Sequence, residues 1–449
     1  MLFRTPLLAA VAILCALPTN AQTLSDAVRA YVWANLASSD SYTPDPDYSY
    51  NASGGAVTIT RSEAGLYQAR FAGLGTVSGS GTVHVTAYRS TASCVSGGWD
   101  RSGDDLIANI HCYDPSGVLV DSRFTVLFAT TSGITVPHMA YAWASNPDAA
   151  SYTPDGSYAY NGGGGTITAS RSDTGTYEME FVGLSAGTGL GHVQVTTYNS
   201  NALCRIQGWN IVSGSVVVDV GCQDSNGAPI DSPYTVLYVG ADAASANTGF
   251  AWADARTSSS YAPTSSYVFN DTRDVTATRS SPGAYGMTFA GLGSTIEGGH
   301  VQVSSYGVSD FAAVCNPDGW GASGDFDIDV GCYDDNGAAT DSRYTVLVVW
   351  PERVSVSTGE QPDAAFSLSA FPNPTTGAAS LRFALDAPAM VRLTVYDALG
   401  REVAQLAEGT RGAGEHTEVL DTSSFPSGVY RIRLEANGQT AAQTLSVVR

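Results

Sequence analysis

One segment occurs three times in this chain, and the repetition constrains the fold more than any other feature. Asp121, Asp231 and Asp341 open near-identical stretches, DSRFTVLF, DSPYTVLY and DSRYTVLV. Trp33, Trp143 and Trp252 stand in equivalent surroundings, and Trp99, Trp209 and Trp320 each follow a glycine at the same relative place. The period is about 110 residues, the size of a domain and far longer than a solenoid unit. The boundaries predicted are a leader over 1–21, copies over 22–130, 139–239 and 248–351, a linker over 352–365 and a last module over 366–449. On this reading the copies are beads on a string, joined by the stretches 131–138 and 240–247.

Each copy has the texture of β-sheet. Short runs of Val, Thr, Tyr and Phe are bounded by Gly, Asn, Asp and Ser. In copy three, Phe326, Ile328, Val330 and Cys332 alternate with Asp327, Asp329 and Gly331, so one face is predicted buried and the other wet. Copy two repeats this with Val216, Val218, Val220 and Cys222. About eight strands per copy predict an all-β chain of three tandem β-sandwich or jelly-roll repeats.

The cysteines agree with that division. Apart from Cys15 in the leader they fall two per copy: Cys94 and Cys112, Cys204 and Cys222, Cys315 and Cys332. Six cysteines allow 15 pairings, and repetition favours the one each copy can make alone. Such a bridge closes a loop of 16 or 17 residues. No histidine recurs beside the pair, which argues against zinc and its four ligands.

The leader has Arg4, then the apolar run Leu7 to Leu17, then small residues at Thr19 and Ala21 before a cut at Gln22. That is the pattern of a secretory signal, and no later stretch has the roughly 20 apolar residues of a membrane span. The chain carries 42 acidic against 21 basic residues, every basic one an arginine. From Phe366 on, seven arginines nearly balance eight carboxylates, so the excess acid lies in the repeats. A surface of that sign repels phosphate backbones, which argues against nucleic acid as a partner.

No constellation for catalysis recurs. His84 corresponds to Gln194 and Gln302, His192 and His300 correspond to Thr82, and His111 corresponds to glycines, so no histidine position is common to the copies. Paired acids do recur: Asp114 with Asp121, Asp224 with Asp231, Asp334 with Asp341. The first of each pair sits in a DPSG, DSNG or DDNG turn, where aspartate and glycine shape a hairpin. The second opens a strand. No phosphate-binding loop, dinucleotide fingerprint or hydrolase elbow is present, so no cofactor is expected.

Aromatic residues remain as binding candidates. Tyr88, Tyr198 and Tyr306 are assigned to the wet face of a strand together with His84, Gln194 and Gln302. Rings and amides at period-two spacing would suit a polysaccharide, and Gln194, Tyr198, Gln302 and Tyr306 are the predicted contacts. The alternative is cross-strand packing among the tyrosines. Two classes of function follow: a non-catalytic secreted or surface protein, for adhesion or glycan binding, and a secreted enzyme with its site in one copy. A passive surface spacer is a third.

The texture changes at Phe366. Phe371-Pro372-Asn373-Pro374-Thr-Thr-Gly377, a strand and turn ending at Gly400, Pro426-Ser-Gly428-Val-Tyr430 and a valine-rich end at Arg449 follow in order. This stretch resembles the type A C-terminal sorting domain of the type IX secretion system, the Por secretion family. The resemblance implies an immunoglobulin-like sandwich, passage through the oxidising periplasm, and two partners: the outer-membrane translocon and a sortase-like peptidase. It also implies release, or attachment to surface lipopolysaccharide. The repeats faintly resemble tandem β modules of other secreted bacterial proteins, a likeness that implies no activity.

Overall fold

In a computed structural model, the chain is described over residues 22–350 and 368–447, apart from 76–80, 185–186, 188, 246, 272, 296–297, 308–312, 372–374, 386–387, 398–400 and 437–438. The leader, the linker and the motif residues Pro372, Asn373, Pro374 and Gly400 lie outside the described residues. The chain divides into two compact units, Met1–Arg353 and Val354–Arg449.

The first copy defines the repeat. Its strands are β1 (Val28–Ala34), β2 (Ser41–Tyr42), β3 (Ser49–Asn51), β4 (Val57–Glu63), β5 (Leu66–Phe71), β6 (Thr82–Tyr88), β7 (Ser93–Ser102), β8 (Asp105–Tyr113) and β9 (Arg123–Ala129). An inner sheet runs β3-β1-β9-β6 and an outer sheet β2-β4-β5-β8-β7, with antiparallel pairing in both. Their facing sides make one core, including Val32, Phe71, Val83, Val85, Ile110, Phe124 and Val126. Period-two patterning sets this arrangement: along β8, Leu106, Ala108, Ile110 and Cys112 are buried and the residues between them are not. Copies two and three repeat the plan around their own cores. Each outer sheet carries a disulfide between directly opposed residues, Cys94–Cys112, Cys204–Cys222 and Cys315–Cys332.

A carboxylate ties the inner sheet of each sandwich to the outer one. Asp121 accepts from Arg61 Nε and Nη2 at 2.8 Å, from the Gly65 amide at 3.0 Å and from Tyr67 Oη at 3.1 Å. Arg171, Gly175 and Tyr177 hold Asp231 in the same way, and Arg279, Gly283 and Tyr285 hold Asp341. Only glycine fits at the donating amide, because Gly65 has φ +74° and a Cβ there would lie 2.7 Å from the Cys112 carbonyl oxygen.

The copies are not beads. Each inner sheet turns its second face to the other two copies, and the three close into a ring with approximate threefold symmetry. Asn199 N donates to Ser96 O (2.7 Å), Gly307 N to Ile206 O (3.0 Å) and Arg89 N to Pro317 O (2.9 Å), linking copy two to one, three to two, and one to three. Nearer the axis, Thr235 Oγ1 donates to Val83 O, Thr345 Oγ1 to Val193 O and Thr125 Oγ1 to Val301 O, at 3.2, 3.0 and 3.1 Å. A shared apolar cluster of Leu24, Tyr31, Met139, Tyr141, Leu237, Phe250 and Leu347 draws on all three copies.

The second unit is a small two-sheet domain. Leu368–Phe371, Ala378–Leu385 and Gly414–Asp421 form one sheet. Glu402–Arg411, Ala389–Tyr396, Gly428–Ala436 and Gln439–Val447 form the other, in that order. Leu381, Phe383, Leu393, Val395, Ile432, Leu434 and Leu445 fill its core. The motif residues that are described shape its turns: the Gly377 carbonyl accepts from Thr422 N and Oγ1, both at 2.7 Å, and Tyr430 Oη donates to Pro426 O at 2.9 Å.

Candidate functional site

The polar stripe assigned to a wet face is the ring's interior. Gln194, Gln302 and His84 are each 0 % exposed, because β6 and its two counterparts pack against one another on the axis. Alternation distinguishes an apolar from a polar face, but it does not say whether water or another copy meets the polar one. There, Thr86 Oγ1 donates to Gln302 Oε1 at 2.6 Å, and Gln302 Nε2 to Thr125 Oγ1 at 3.2 Å. His84 Nδ1 lies 3.2 Å from Thr196 Oγ1. Gln302 Nε2 also lies 2.9 Å from His300 Nε2; an amide nitrogen can only donate, so the imidazole accepts. Burial holds His84, His192 and His300 as neutral imidazoles, pushing each pKa down to about 3.

Tyr198 and Tyr306 lie at the seams between copies, only partly covered. Each seam gathers four rings. Trp143, Tyr158 and Tyr198 of copy two meet Trp99 of copy one, with centroids 5.4 Å (Trp143–Tyr158), 4.8 Å (Trp143–Tyr198), 5.7 Å (Trp99–Tyr158) and 6.0 Å (Trp99–Tyr198) apart. Trp252, Tyr267 and Tyr306 meet Trp209 in the same way, and Trp33, Tyr48 and Tyr88 meet Trp320. Mostly edge-to-face contacts of this kind add ~0.5–1.5 kcal/mol per pair beyond burial. Burial raises the pKa of Tyr88, Tyr198 and Tyr306. The indole N–H groups of Trp33, Trp143 and Trp252 are buried with no hydrogen-bond partner.

The two recurring tryptophans of each copy therefore meet across a seam with those of a neighbour, where the sequence offered no reason to join them. Tyr48, Tyr158 and Tyr267 were also passed over. Their signal was the recurring Tyr-x-x-x-x-x-Tyr of SYTPDPDYSY, SYTPDGSYAY and SYAPTSSYVF. The recurring acids have structural partners. Asp114 Oδ1 accepts from Ser116 N and Val118 N within its own turn, as Asp224 and Asp334 do in theirs. The second acids are held by Arg61, Arg171 and Arg279, and their pKa values fall, chiefly through those guanidinium hydrogen bonds. Among the described residues, no group of three or more His, Cys, Asp or Glu side chains could hold a metal ion, and no helix is long and apolar enough to cross a membrane.

Residues 369–448 match the secretion system C-terminal sorting domain. The chain carries a type IX sorting signal. The protein is thus exported by the type IX secretion system, to the outer surface or the medium. No curated protein matches the chain. Among solved structures, the crystal structure of dimeric latent PorU from Porphyromonas gingivalis aligns at 10% identity and a TM-score of 0.18. That overlap takes in 94% of this chain and 34% of the other, so the chain spans about a third of its length.

Proposed function

We propose that the three-copy unit is a non-catalytic head, exported for adhesion or glycan binding, which engages polysaccharide along the aromatic seams. What supports this is the threefold recurrence of a partly exposed tryptophan beside two tyrosines. Ring faces stack on apolar sugar faces. The recurring acids are tied up in turns and guanidinium pairs, which argues against a paired-carboxylate hydrolase. Closure into a ring removes the reach that a spacer would need. The sorting domain's partners are the translocon and the sortase-like peptidase, and surface lipopolysaccharide is the proposed anchor.

Glycan-array screening of the exported protein tests the reading, followed by Tyr198→Ala together with Tyr306→Ala. Loss of two stacking contacts at ~1 kcal/mol each weakens binding at least about 10-fold. Undiminished binding by the double variant, with its circular dichroism intact, would exclude the seams.

A further inference from the structure

The three seams share their aromatic groups but not their charges. At the seam where copy three meets copy one, Tyr88 stands directly opposite Arg123, and Trp33 stands opposite Thr125, two residues further along β9. Directly opposed residues, and residues two apart on one strand, project from the same face of a sheet. Arg123 therefore shares the face that carries Trp33 and Tyr88. Arg89 follows Tyr88 at the point of contact: its φ is +50°, and its amide is the one bonded to Pro317 O of copy three. Both arginines are exposed. Burial raises the pKa of Tyr88, and the charges of Arg89 and Arg123 work against that shift.

The other seams lack this pair. Tyr198 has Asn199 in place of Arg89, Pro233 in place of Arg123, and Asp100 of copy one nearby. Tyr306 has Gly307 and, opposite it, Arg343, whose Nε donates to Asp254 O at 3.0 Å. Trp320 is partly exposed, whereas its counterparts Trp99 and Trp209 are buried. Arg61, Arg70, Arg171 and Arg279 are paired with aspartates. Among the described residues, neither Arg89 nor Arg123 has an ion pair or a side-chain hydrogen bond, in a chain with 42 acidic and 21 basic residues. Three acids belong to the same seam. Asp318 is hydrogen-bonded to Tyr333, and burial raises its pKa; Asp45 accepts from Asp47 N at 3.0 Å; Asp47 is exposed on the turn that carries Tyr48.

We propose that the seam between copies three and one is a site for acidic glycan, in which Trp33, Tyr48 and Trp320 stack on the sugar and Arg89 and Arg123 bind its carboxylate or sulfate. This rests on the reading of the seams as polysaccharide contacts and adds the class of sugar. A guanidinium presents its N–H donors in a planar fork that matches two oxygens of such a group. The excess acid of the chain does not forbid it, because charges beyond a Debye length of ~8 Å at physiological ionic strength are largely screened. The seam between copies one and two, without an arginine at either position, takes neutral sugar.

Isothermal titration of the full chain at pH 7.5 with two matched pairs tests this: oligogalacturonate and its methyl ester, and a sulfated galactan fragment and its desulfated form. At least one acidic member should bind about 3- to 30-fold more tightly than its neutral partner, the worth of two exposed charge contacts. Whichever pair shows the larger ratio identifies the anion as uronate or sulfate. Arg89→Asn with Arg123→Gln should abolish that ratio and leave neutral binding within about 2-fold of the parent. Asparagine already occupies the equivalent place in copy two, at φ +45°, so the backbone tolerates it. Tyr48→Ala should weaken acidic binding about 5-fold through the lost stacking. Equal binding of acidic and neutral members by the parent would overturn the proposal and leave the seams as neutral-sugar sites. A ratio that survives in the arginine variant, or acidic binding untouched by Tyr48→Ala, would also overturn it. Binding of no oligosaccharide at all would sink this proposal together with the reading on which it rests.

Discussion

Acid should open the three-copy ring through its buried histidines. His84, His192 and His300 ordinarily titrate near 6.5, and in the fold do so at about 3. Below pH 6.5 the unfolded chain takes up protons that the folded one refuses, so stability is unchanged above that value and falls with pH down to about 3. Integrated from pH 7 to pH 5, each histidine removes about 2 kcal/mol, and the three together about 6 kcal/mol. That total holds wherever below pH 4 the folded values lie. It compares with a usual net stability of ~5–15 kcal/mol. Asp121, Asp231 and Asp341 act in a lower window: their folded values are depressed, so their contribution is present above about 3.8 and lost only as pH falls further. Denaturant titrations at pH 7.5, 6 and 5 measure the loss by tryptophan fluorescence, since all seven tryptophans lie in the first unit. The comparison variant is His84→Gln with His192→Thr and His300→Thr, which gives each position a residue that another copy carries there. It should lose less than a third of what the parent loses over this range. An equal loss in parent and variant would refute the reasoning, as would a flat parent.

Mass mapping of a non-reduced digest should show only bridges within copies, each worth about 3 kcal/mol for a loop of this length; a Cys94–Cys204 peptide would contradict the pairing. Asp231→Ala leaves Arg171, the Gly175 amide and Tyr177 without their acceptor, and should cost about 2–3 kcal/mol in urea denaturation. A loss under 0.5 kcal/mol would show the pin to be dispensable. Copy two alone, residues 139–239, would expose its axial face and Trp143, and should aggregate or self-associate in light scattering. A well-folded monomer would contradict the ring. Deleting residues 366–449 should hold the protein in the periplasm with the ring folded, read by fractionation and circular dichroism; normal delivery would refute the role of the sorting signal.

Much of this architecture was legible in the sequence, for identifiable reasons. Strand patterning, the two-per-copy cysteines and the separated elements of the sorting domain are local signals that repeat or follow in order. What escaped was the association of the copies. The stripe of His84, Gln194 and Gln302 reads as wet because a polar face is usually a solvated one, and polar residues that hydrogen-bond across a chain's own symmetry axis have the same pattern. Arg61, Arg171 and Arg279 escaped because their partners lie about 60 residues away. The recurring Ile-x-Arg-Ser and Ala-x-Arg-Ser segments mark their places, although neither segment names a partner.

Three identical subunits around an axis must present the same side chain there three times. Three arginines at the level of Arg205 would crowd around one cavity of about 60 Å³, and their repulsion would outweigh what any one of them gained. Joining the copies in one polypeptide lifts that restriction, because Val95, Arg205 and Asn316 can drift independently while the Thr125, Thr235 and Thr345 contacts keep the ring closed. Tandem fusion thus turns a symmetric assembly into one whose interior differs from copy to copy.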